Sequence, residues 1–526
     1  MRFEIKNRIA ATLLVLVAAA SLSARQAPQP KFSITPDAQS ALDHISADSM
    51  RGHLSFIASD LLEGRATPSR GLDLAAEYIA AQFRRAGIEP AGDDGYFQTA
   101  NWLLAAPDLD DFSLNFQDKS GAVRVSKEQV SLSTPTEFNL PPTPVIKVDF
   151  ADKAAIAALT PEQVKGKVVL AEVPDWRRAE DAQRRAAFQA AMQFRTDMEQ
   201  LGAALIISID RQSETGAGAG TGRLIDPENR AAPPQTGGLH SITVHDPAFV
   251  KMYDAMKPGL SAATLSVRVP APKEQPVKLR NVIGILRGSD PALKDTYVLI
   301  TAHYDHIGMQ PFGAGDRIFN GANDDGSGTV MVMELAAALA KLKQRPKRTI
   351  VFMTFFGEER GMLGSRYYGR HPVFPIEKTV AHVNLEQVGR TDSSEGPQAR
   401  KASLTGFDFS DIGAVFKAAG ELTGIHVYKH EQNSDAFFSR SDNQALADLG
   451  VPAHTLCTAF IYPDYHGLGD HWDKIDYANM EQVARMVAVG LLMIADNKTA
   501  PQWNEANPKA ARYVQAWKKR QGQIAQ

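Results

Sequence analysis

Metal-binding side chains follow each of four apolar runs in the second half of the sequence. They are His303, one of the adjacent Glu358 and Glu359, Glu386 and His466, and Asp324 opens a long apolar helical pattern after the first run. Imidazole and carboxylate groups are N/O ligands that favour zinc, with cobalt or manganese as alternatives. A single catalytic zinc uses three protein ligands, so five ligands indicate two metals that share a bridging carboxylate. The sequence therefore predicts a two-metal site suited to hydrolysis.

Three further acidic residues stand beside these candidates. Asp305 lies two residues after His303, on the same side of an extended strand end, where it can orient the imidazole. Glu358 and Glu359 are adjacent at the end of an apolar run, where two carboxylates are unfavourable unless a positive charge lies nearby. One of them can bind a metal while the other polarises a water molecule. Asp324 and Asp325 also suit a helix N-terminus, whose dipole attracts anions.

The four apolar runs predict the strands that must position this chemistry. They span 297–301, 349–353, 379–383 and 453–456, and a helical pattern at about 328–342 separates the first two. Alternating strands and helices predict an α/β fold with a mostly parallel, mixed sheet flanked by helices. Ligands bind beyond the carboxyl ends of such strands, where all the candidates fall.

The remaining sequence predicts a five-part organisation. A signal peptide is followed by a leader with a helical N-terminal part, an inserted mixed α+β unit rich in β-structure, the catalytic domain and a polar C-terminal tail. In the same order, these parts span 1–24, 25–107, 108–275, 276–498 and 499–526. The tail is predicted to be a solvated or frayed helix. The insert holds none of the candidate ligands, so we expect it to gate or select substrates without taking part in the chemistry.

The N-terminus indicates export. Arg2, Lys6 and Arg8 precede an apolar run at 9–20 and then small residues, which is typical of a cleaved secretory signal, although an uncleaved membrane anchor is the alternative. No later segment approaches 18 consecutive apolar residues, so no stable membrane insertion is expected after signal removal. The predicted location is periplasmic or extracellular.

Composition excludes other kinds of site. The net charge is only −3 and there is no polybasic run, so nucleic acid is not expected as a partner. The single cysteine, Cys457, rules out an internal disulfide and a cysteine metal cluster, and we expect it to be buried.

The sequences of these segments resemble motifs of a known family. ITAHYDHIG, NGANDDGSG, FFGEERGMLGS, NLEQVGR, SRSDNQAL and DYHGLGDHWDKID lie within 297–476, and they are similar to motifs of the zinc aminopeptidase family that contains bacterial leucyl aminopeptidases and glutamate carboxypeptidase II. The segment 46–97 looks like the helical N-terminal part of that family. VKGKVVLAEV and LGAALIISID, in the predicted insert, resemble more loosely a protease-associated domain.

The resemblance assigns a role to each candidate. It implies that His303 and Glu386 hold one zinc and that Glu359 and His466 hold the other. Asp324 would bridge the two zinc ions. Glu358 would be the general base, Asp305 the carboxylate that supports the site, and Tyr465 a stabiliser of the oxyanion. Glu386 departs from the family, which more often has aspartate at this position. Glutamate keeps the carboxylate ligand but has a longer side chain.

The function implied is that of a secreted di-zinc metallopeptidase that hydrolyses bonds in peptides or proteins, as an aminopeptidase. A carboxypeptidase or a glutaminyl cyclase on the same fold is an alternative, because fold does not fix substrate. A non-enzymatic binding protein with a decayed site is another alternative, but no ligand or base is missing. Six other histidines, including His306, are expected to be structural.

Overall fold

The computed structural model describes residues 32–106, 108–119, 121–132, 137–174, 181–211, 222–230, 239–310 and 315–522. The predicted signal peptide, 1–24, lies outside the described residues, as does the start of the leader.

The described chain forms three sheets. Their strands are β1 (Glu89–Pro90), β2 (Phe97–Ala106), β3 (Ser113–Asp118), β4 (Gly121–Val125), β5 (Val130–Leu132), β6 (Phe138–Lys147), β7 (Val168–Ala171), β8 (Leu205–Ile209), β9 (Arg223–Ile225), β10 (Ser241–Val244), β11 (Gly259–Val269), β12 (Lys273–Leu286), β13 (Tyr297–His303), β14 (Thr349–Phe355), β15 (Thr379–Leu385), β16 (Asp392–Ser393), β17 (Gly396–Pro397), β18 (Lys401–Leu404), β19 (His426–Tyr428) and β20 (Ala453–Cys457).

Helices surround the sheets. They are α1 (Pro36–Leu42), α2 (Ala47–Ile57), α3 (Arg70–Ala86), α4 (Lys153–Ala157), α5 (Pro161–Val164), α6 (Asp181–Gln200), α7 (Pro247–Ala255), α8 (Ser327–Leu339), α9 (Leu363–Arg370), α10 (Ile412–Thr423), α11 (Asn433–Ala436), α12 (Asn443–Ala447), α13 (Tyr477–Asp496) and α14 (Ala511–Arg520).

The largest sheet has the strand order β19-β18-β20-β15-β13-β14-β12-β2-β9, with β1 beside β12. Its centre, β20-β15-β13-β14, is parallel, whereas β12, β2 and β9 are antiparallel additions on one side. The predicted mixed sheet flanked by helices is confirmed. The parallel centre is formed by the four strands predicted from sequence, so their carboxyl ends lie along one edge.

Alternate side chains of the central strands bury two separate cores. In β13, Val298 and Ile300 belong to the core that helices α2, α3, α8 and α13 cover. Leu299 points to the opposite face, where Tyr368 of α9 and Tyr513 of α14 pack. Helix α8 is buried around almost its whole circumference, as expected of an apolar helix inside a protein. This double cover fixes the strand ends that carry the candidate site.

Helix α13 is the one described helix long and apolar enough to cross a membrane, judged by length and composition. In this structure 72% of its apolar window is buried inside the protein, against α10 and α2. It serves here as a core helix of the catalytic unit.

A second sheet, β4-β3-β11-β6-β7-β8-β10-β5, lies between β2 and β12 in sequence. Strands β2 and β12 pair over ten residues, from Lys273 opposite Ala106 to Val282 opposite Phe97, and form a ribbon that leads into this unit and out of it. The unit has cores of its own on both faces of its sheet. It falls within the predicted range 108–275, and its likeness to a protease-associated domain stays a prediction.

Part of the predicted insert belongs to the catalytic sheet. Strand β9, Arg223–Ile225, pairs with β2 rather than with the second sheet. The segment 222–230 therefore runs along the edge of the catalytic unit, where it reaches residues close to the candidate site.

The prediction of a solvated C-terminal tail is wrong. Helix α14 forms, but Trp503, Ala510, Tyr513 and Val514 are buried against the catalytic sheet. The indole N–H of Trp503 donates to the carbonyl of Gly450 at 3.1 Å. The apolar residues are few and widely spaced among charged ones, which hides this packing in the sequence pattern.

Candidate active site

The carboxyl ends of the parallel strands bring the predicted residues together. His303 is the last residue of β13 and lies opposite Phe355, the last residue of β14, so Glu358 and Glu359 follow immediately beside it. Glu386 directly follows β15, the neighbour of β13 on its other side. His466 comes from the loop after β20. The expected convergence at one sheet edge is therefore present in the structure.

Asp324 lies at the centre of the cluster. Its Oδ1 is 3.3 Å from Nε2 of His303, and its Oδ2 is 3.1 Å from Nε2 of His466. The latter nitrogen is also 3.2 Å from Oε2 of Glu359. Asp324 is only 2% exposed. A carboxylate that turns one oxygen to each of two histidines has the arrangement of a bridging ligand.

Two groups of side chains offer ligand atoms within 4.8 Å of one another. One consists of His303, Asp324 and Glu386, and the other of His306, Asp324 and Glu359. Within the described part of the chain, Nε2 of His303 and Oε1 of Glu359 are buried and have no hydrogen-bond partner. Buried polar atoms are normally paired, so these atoms fit a site completed by a cation. Their N/O chemistry fits zinc.

The electrostatics of the cluster also fit a cation. Burial raises the pKa of Glu386 to about 7, although His303 opposes the rise. Burial likewise raises the pKa of Glu358 well above its ordinary value, with His303 opposing and the Glu386 carboxylate adding to it. Burial raises the pKa of Asp325 as well, against the effect of His303. Packed this closely, the carboxylates would ionise more readily with a positive charge between them.

Asp305 connects His303 to Glu358. Its Oδ1 accepts the backbone N–H of Glu358 at 3.0 Å and lies 3.6 Å from Nδ1 of His303. Its Oδ2 accepts the hydroxyl of Thr67 at 3.1 Å. The Nδ1 atom of His303 is also 3.2 Å from the carbonyl oxygen of Asp305. These contacts fix the imidazole so that its Nε2 faces Asp324.

The loop that carries Asp324 is held by two residues to which the sequence analysis gave no role. The carboxylate of Asp470 accepts the backbone N–H groups of Asn323 and Asp324 at 3.0–3.1 Å, and the hydroxyl of Tyr462 at 2.8 Å. Arg65, fully buried, donates to four backbone carbonyls at 2.7–2.9 Å, those of Ile57, Tyr304, Asn320 and Gly321. Both residues lie inside segments that resemble the family, which was the only sequence signal for them.

Asp442, in the segment SRSDNQAL, was also missed. It is fully buried and accepts the hydroxyl of Ser365 at 2.5 Å. Burial raises its pKa to about 7, against the effect of His303. Asp442 therefore belongs to the electrostatic surroundings of the site, without being part of either candidate ligand group.

Tyr465 stacks on His466, with ring centroids 4.1 Å apart and an interplanar angle of 18°. It is 40% exposed, so it lies at the open side of the cluster. A cavity of about 30 Å³ adjoins Glu386 on another side, lined by Phe437, Arg440 and Phe460 among others. The sequence did not predict this cavity, because its walls come from segments that are far apart in the chain.

The segment 222–230 of the predicted insert reaches the turn that holds the adjacent glutamates. Arg360 donates from Nη2 to the carbonyl of Gly222 at 2.7 Å and from Nη1 to the carbonyl of Thr67 at 2.9 Å. Farther along, Arg370 pairs with Asp226 at 2.8 Å. The insert thus contacts the residue next to Glu359, although it supplies no ligand.

Known proteins resemble the chain in sequence and in fold. Residues 281–490 match the sequence model of a family described as peptidase family M28. Aminopeptidase YwaD of Bacillus subtilis is 25% identical over 237 residues, 44% of this chain and 48% of that protein. A probable zinc metalloprotease of Pyrenophora teres is 37% identical over 122 residues, 23% of this chain and 25% of that protein. The chain thus spans about a quarter to a half of the length of these curated relatives.

Among solved structures, BSAP, a zinc aminopeptidase from Bacillus subtilis, superposes with a TM-score of 0.55 at 19% identity, covering 87% of this chain and 97% of that chain. An aminopeptidase from an Aneurinibacillus strain gives a TM-score of 0.52 at 18% identity, covering 89% of this chain and 97% of that chain. At these identities the likeness shows a shared fold.

Proposed function

We propose that this chain is a zinc-dependent metallopeptidase with two metal ions, acting as an aminopeptidase, and the match of residues 281–490 to the model of peptidase family M28 supports this. The observation that carries the proposal is the position of Asp324, whose two oxygens face His303 and His466 separately. The proposed ligands are His303 and Glu386 for one zinc, Glu359 and His466 for the other, and Asp324 between them.

Bound zinc would lower the pKa of a water molecule and stabilise the negative charge that develops on the scissile carbonyl. Glu358 directly precedes Glu359 and is outside both ligand groups. We assign it the proton transfers: its carboxylate takes the proton of the attacking water and passes it to the leaving amine. Asp305 keeps the backbone of Glu358 and the ring of His303 in place.

We assign to Tyr465 the stabilisation of the oxyanion. Its ring stacks on His466 and the residue is 40% exposed, which supports a position accessible to a substrate. A hydroxyl donor there would stabilise the tetrahedral oxyanion, as preorganised donors do in other hydrolases.

The direct test is metal analysis with activity. We expect about two zinc equivalents per chain, loss of peptidase activity with a chelator, and recovery with added zinc. Active protein with one equivalent or none would contradict the two-metal proposal. Fully loaded protein that hydrolyses no peptide would favour the alternative of a binding protein.

The position of Arg440 favours the carboxypeptidase alternative. Its guanidinium lies 4.4 Å above the ring of Phe437, and both residues line the cavity beside Glu386. A cation there suits an acidic side chain or a free terminal carboxylate. Peptides blocked at either end, analysed by mass spectrometry, separate the two activities: an aminopeptidase requires a free N-terminus and a carboxypeptidase a free C-terminus. Cyclisation of N-terminal glutamine would indicate the glutaminyl cyclase alternative.

Export is proposed on the sequence alone. The basic residues Arg2, Lys6 and Arg8 and the apolar run 9–20 support a signal that directs the protein to the periplasm or beyond. Cell fractionation followed by N-terminal sequencing of the mature protein tests this. Mature protein that begins near residue 25 is expected, and uncleaved protein in the membrane fraction would favour the anchor.

A further inference from the structure

His306 occupies a fixed position inside the candidate site. It follows His303 by three residues and is 1% exposed. Its backbone N–H donates to the carbonyl of Arg65 at 3.2 Å. Its ring fills the space beside Gly321, where an added Cβ would lie 2.5 Å from the ring carbon Cγ. Gly321 also has a φ of +57°, which favours glycine. Its lack of a side chain leaves the space that this imidazole occupies.

The ring of His306 lacks the hydrogen bonds that a buried imidazole normally makes. Neither of its nitrogens has a hydrogen-bond partner among the residues that the structure describes. The Nδ1 atom nevertheless lies 2.8 Å from Oε1 of Glu359, which is itself buried and has no such partner in the described chain. The contact is an ion pair if the imidazole is protonated. A neutral imidazole nitrogen and a carboxylate oxygen this close are equally placed to bind one shared cation.

The same atoms converge with the proposed ligands of the second metal. His306, Asp324 and Glu359 offer ligand atoms within 4.8 Å of one another. The ring of His466 lies 5.5 Å from that of His306, at an angle of 76°, and its Nε2 is 3.1 Å from Asp324 and 3.2 Å from Glu359. Asp324 and Glu359 thus lie beside both imidazoles.

We propose that Nδ1 of His306 is a ligand of the metal held by Glu359 and His466, an inference that rests on the proposed two-metal function. This metal then has four protein ligands: His306, His466, Glu359 and the shared Asp324. The other metal has three, His303, Glu386 and Asp324. The metal with three protein ligands keeps more open positions for water and substrate, and it should exchange more readily.

Metal affinity, measured separately from activity, tests the proposal. Wild type, His306→Gln and the control His471→Gln are loaded with zinc and dialysed against a graded series of chelator concentrations, and the retained zinc is counted. His471 is a partly exposed histidine that pairs with Asp316 at 3.6 Å, and it belongs to neither ligand group. We expect His306→Gln to lose one zinc equivalent at a free-metal level at least about tenfold above that for wild type, while His471→Gln behaves as wild type.

Retention of both zinc ions by folded His306→Gln with wild-type affinity would overturn the proposal. If that variant does not fold, a crystal structure of the wild type at the zinc absorption edge decides: zinc at about 2.0–2.1 Å from Nδ1 of His306 supports the assignment, and a longer separation refutes it. Failure of the proposed function is distinguishable, since it appears in the wild type itself as fewer than two zinc ions or as no peptide hydrolysis.

Discussion

The adjacent glutamates Glu358 and Glu359 are expected to respond differently to the same substitution. Glu358 lies outside both candidate ligand groups, and its backbone N–H is fixed to Asp305 at 3.0 Å. Glu358→Gln keeps the shape and this backbone contact but cannot accept the proton of a water. Loss of a general base costs about 10²–10⁴-fold in rate, which corresponds to about 2.7–5.4 kcal/mol of transition-state stabilisation at 1.36 kcal/mol per tenfold.

Glu359 has different contacts. Its Oε1 lies 2.8 Å from Nδ1 of His306 and its Oε2 lies 3.2 Å from Nε2 of His466. Burial would raise its pKa, but the imidazoles of His466 and His306 together outweigh burial, and the pKa falls to about 2. The carboxylate is therefore ionised in a cluster of metal-ligand type. Glu359→Gln replaces an anionic ligand by a neutral one, and we expect weaker binding of one zinc with activity partly restored at high zinc.

The assay combines steady-state kinetics on an amino-acyl anilide with zinc counting on the same samples. Glu358→Gln should keep two zinc ions and its KM, and lose only kcat. Glu359→Gln should lose zinc and kcat together. If Glu358→Gln loses a metal, or turns over near the wild-type rate while fully loaded, the roles assigned to this pair are wrong.

Three further predictions concern other parts of the structure. Tyr465→Phe should lower kcat by about 10²-fold with little change in KM if its hydroxyl stabilises the oxyanion, and an unchanged kcat would exclude that role. Arg360→Ala should lower activity about 10–100-fold, as loss of a supporting contact does, whereas Arg370→Ala, an exposed contact to the same insert segment, should not; equal effects would contradict the distinction. Burial lowers the pKa of His454 to about 4, below its unfolded value of about 6.5. The unfolded state therefore binds more protons between these values, and the stability due to this group, complete above about pH 6.5, is lost as pH falls, by about 2 kcal/mol at about pH 5. Urea midpoints at about pH 7.5 and pH 5 should show this loss in wild type and less of it in His454→Gln.

The central sheet and most of the site could be predicted because both depend on local rules. Each parallel strand reads as a short apolar run, and the residue types that follow it are unusual at the end of such a run. His303, Glu386 and the pair Glu358 and Glu359 follow from this rule, whereas the choice of Glu359 as the ligand depended on the resemblance to the family. His466 lies nine residues after the end of β20, so strand geometry does not place it, and its assignment depended on the wording of the family motif.

The parts that were missed depend on contacts between distant segments. Arg65 reaches Gly321 across 256 residues, and Asp470 reaches Asn323 across 147. A histidine such as His306 looks surplus in the sequence. Its place beside Glu359 becomes visible only when the glycine turn at Gly321 and the end of β14 are brought together. The sheet edge formed by β9 was missed for the same reason, because a three-residue strand has no pattern of its own.

That edge changes the expectation for the insert. The sequence predicted a unit that selects substrates and can be removed without loss of chemistry, since it holds no ligand. In the structure, Gly222 accepts a hydrogen bond from Arg360, and Arg360 directly follows Glu359 in a three-residue turn. Arg360 also holds the carbonyl of Thr67, whose hydroxyl supports Asp305. A displacement of Gly222 would therefore shift Arg360 and, with it, the neighbouring Glu358 and Glu359, the proposed base and a proposed ligand. Deletion of 108–275 removes this contact together with β9, whereas a deletion that spares 222–230 keeps both, so only the second tests whether the insert acts on substrates alone.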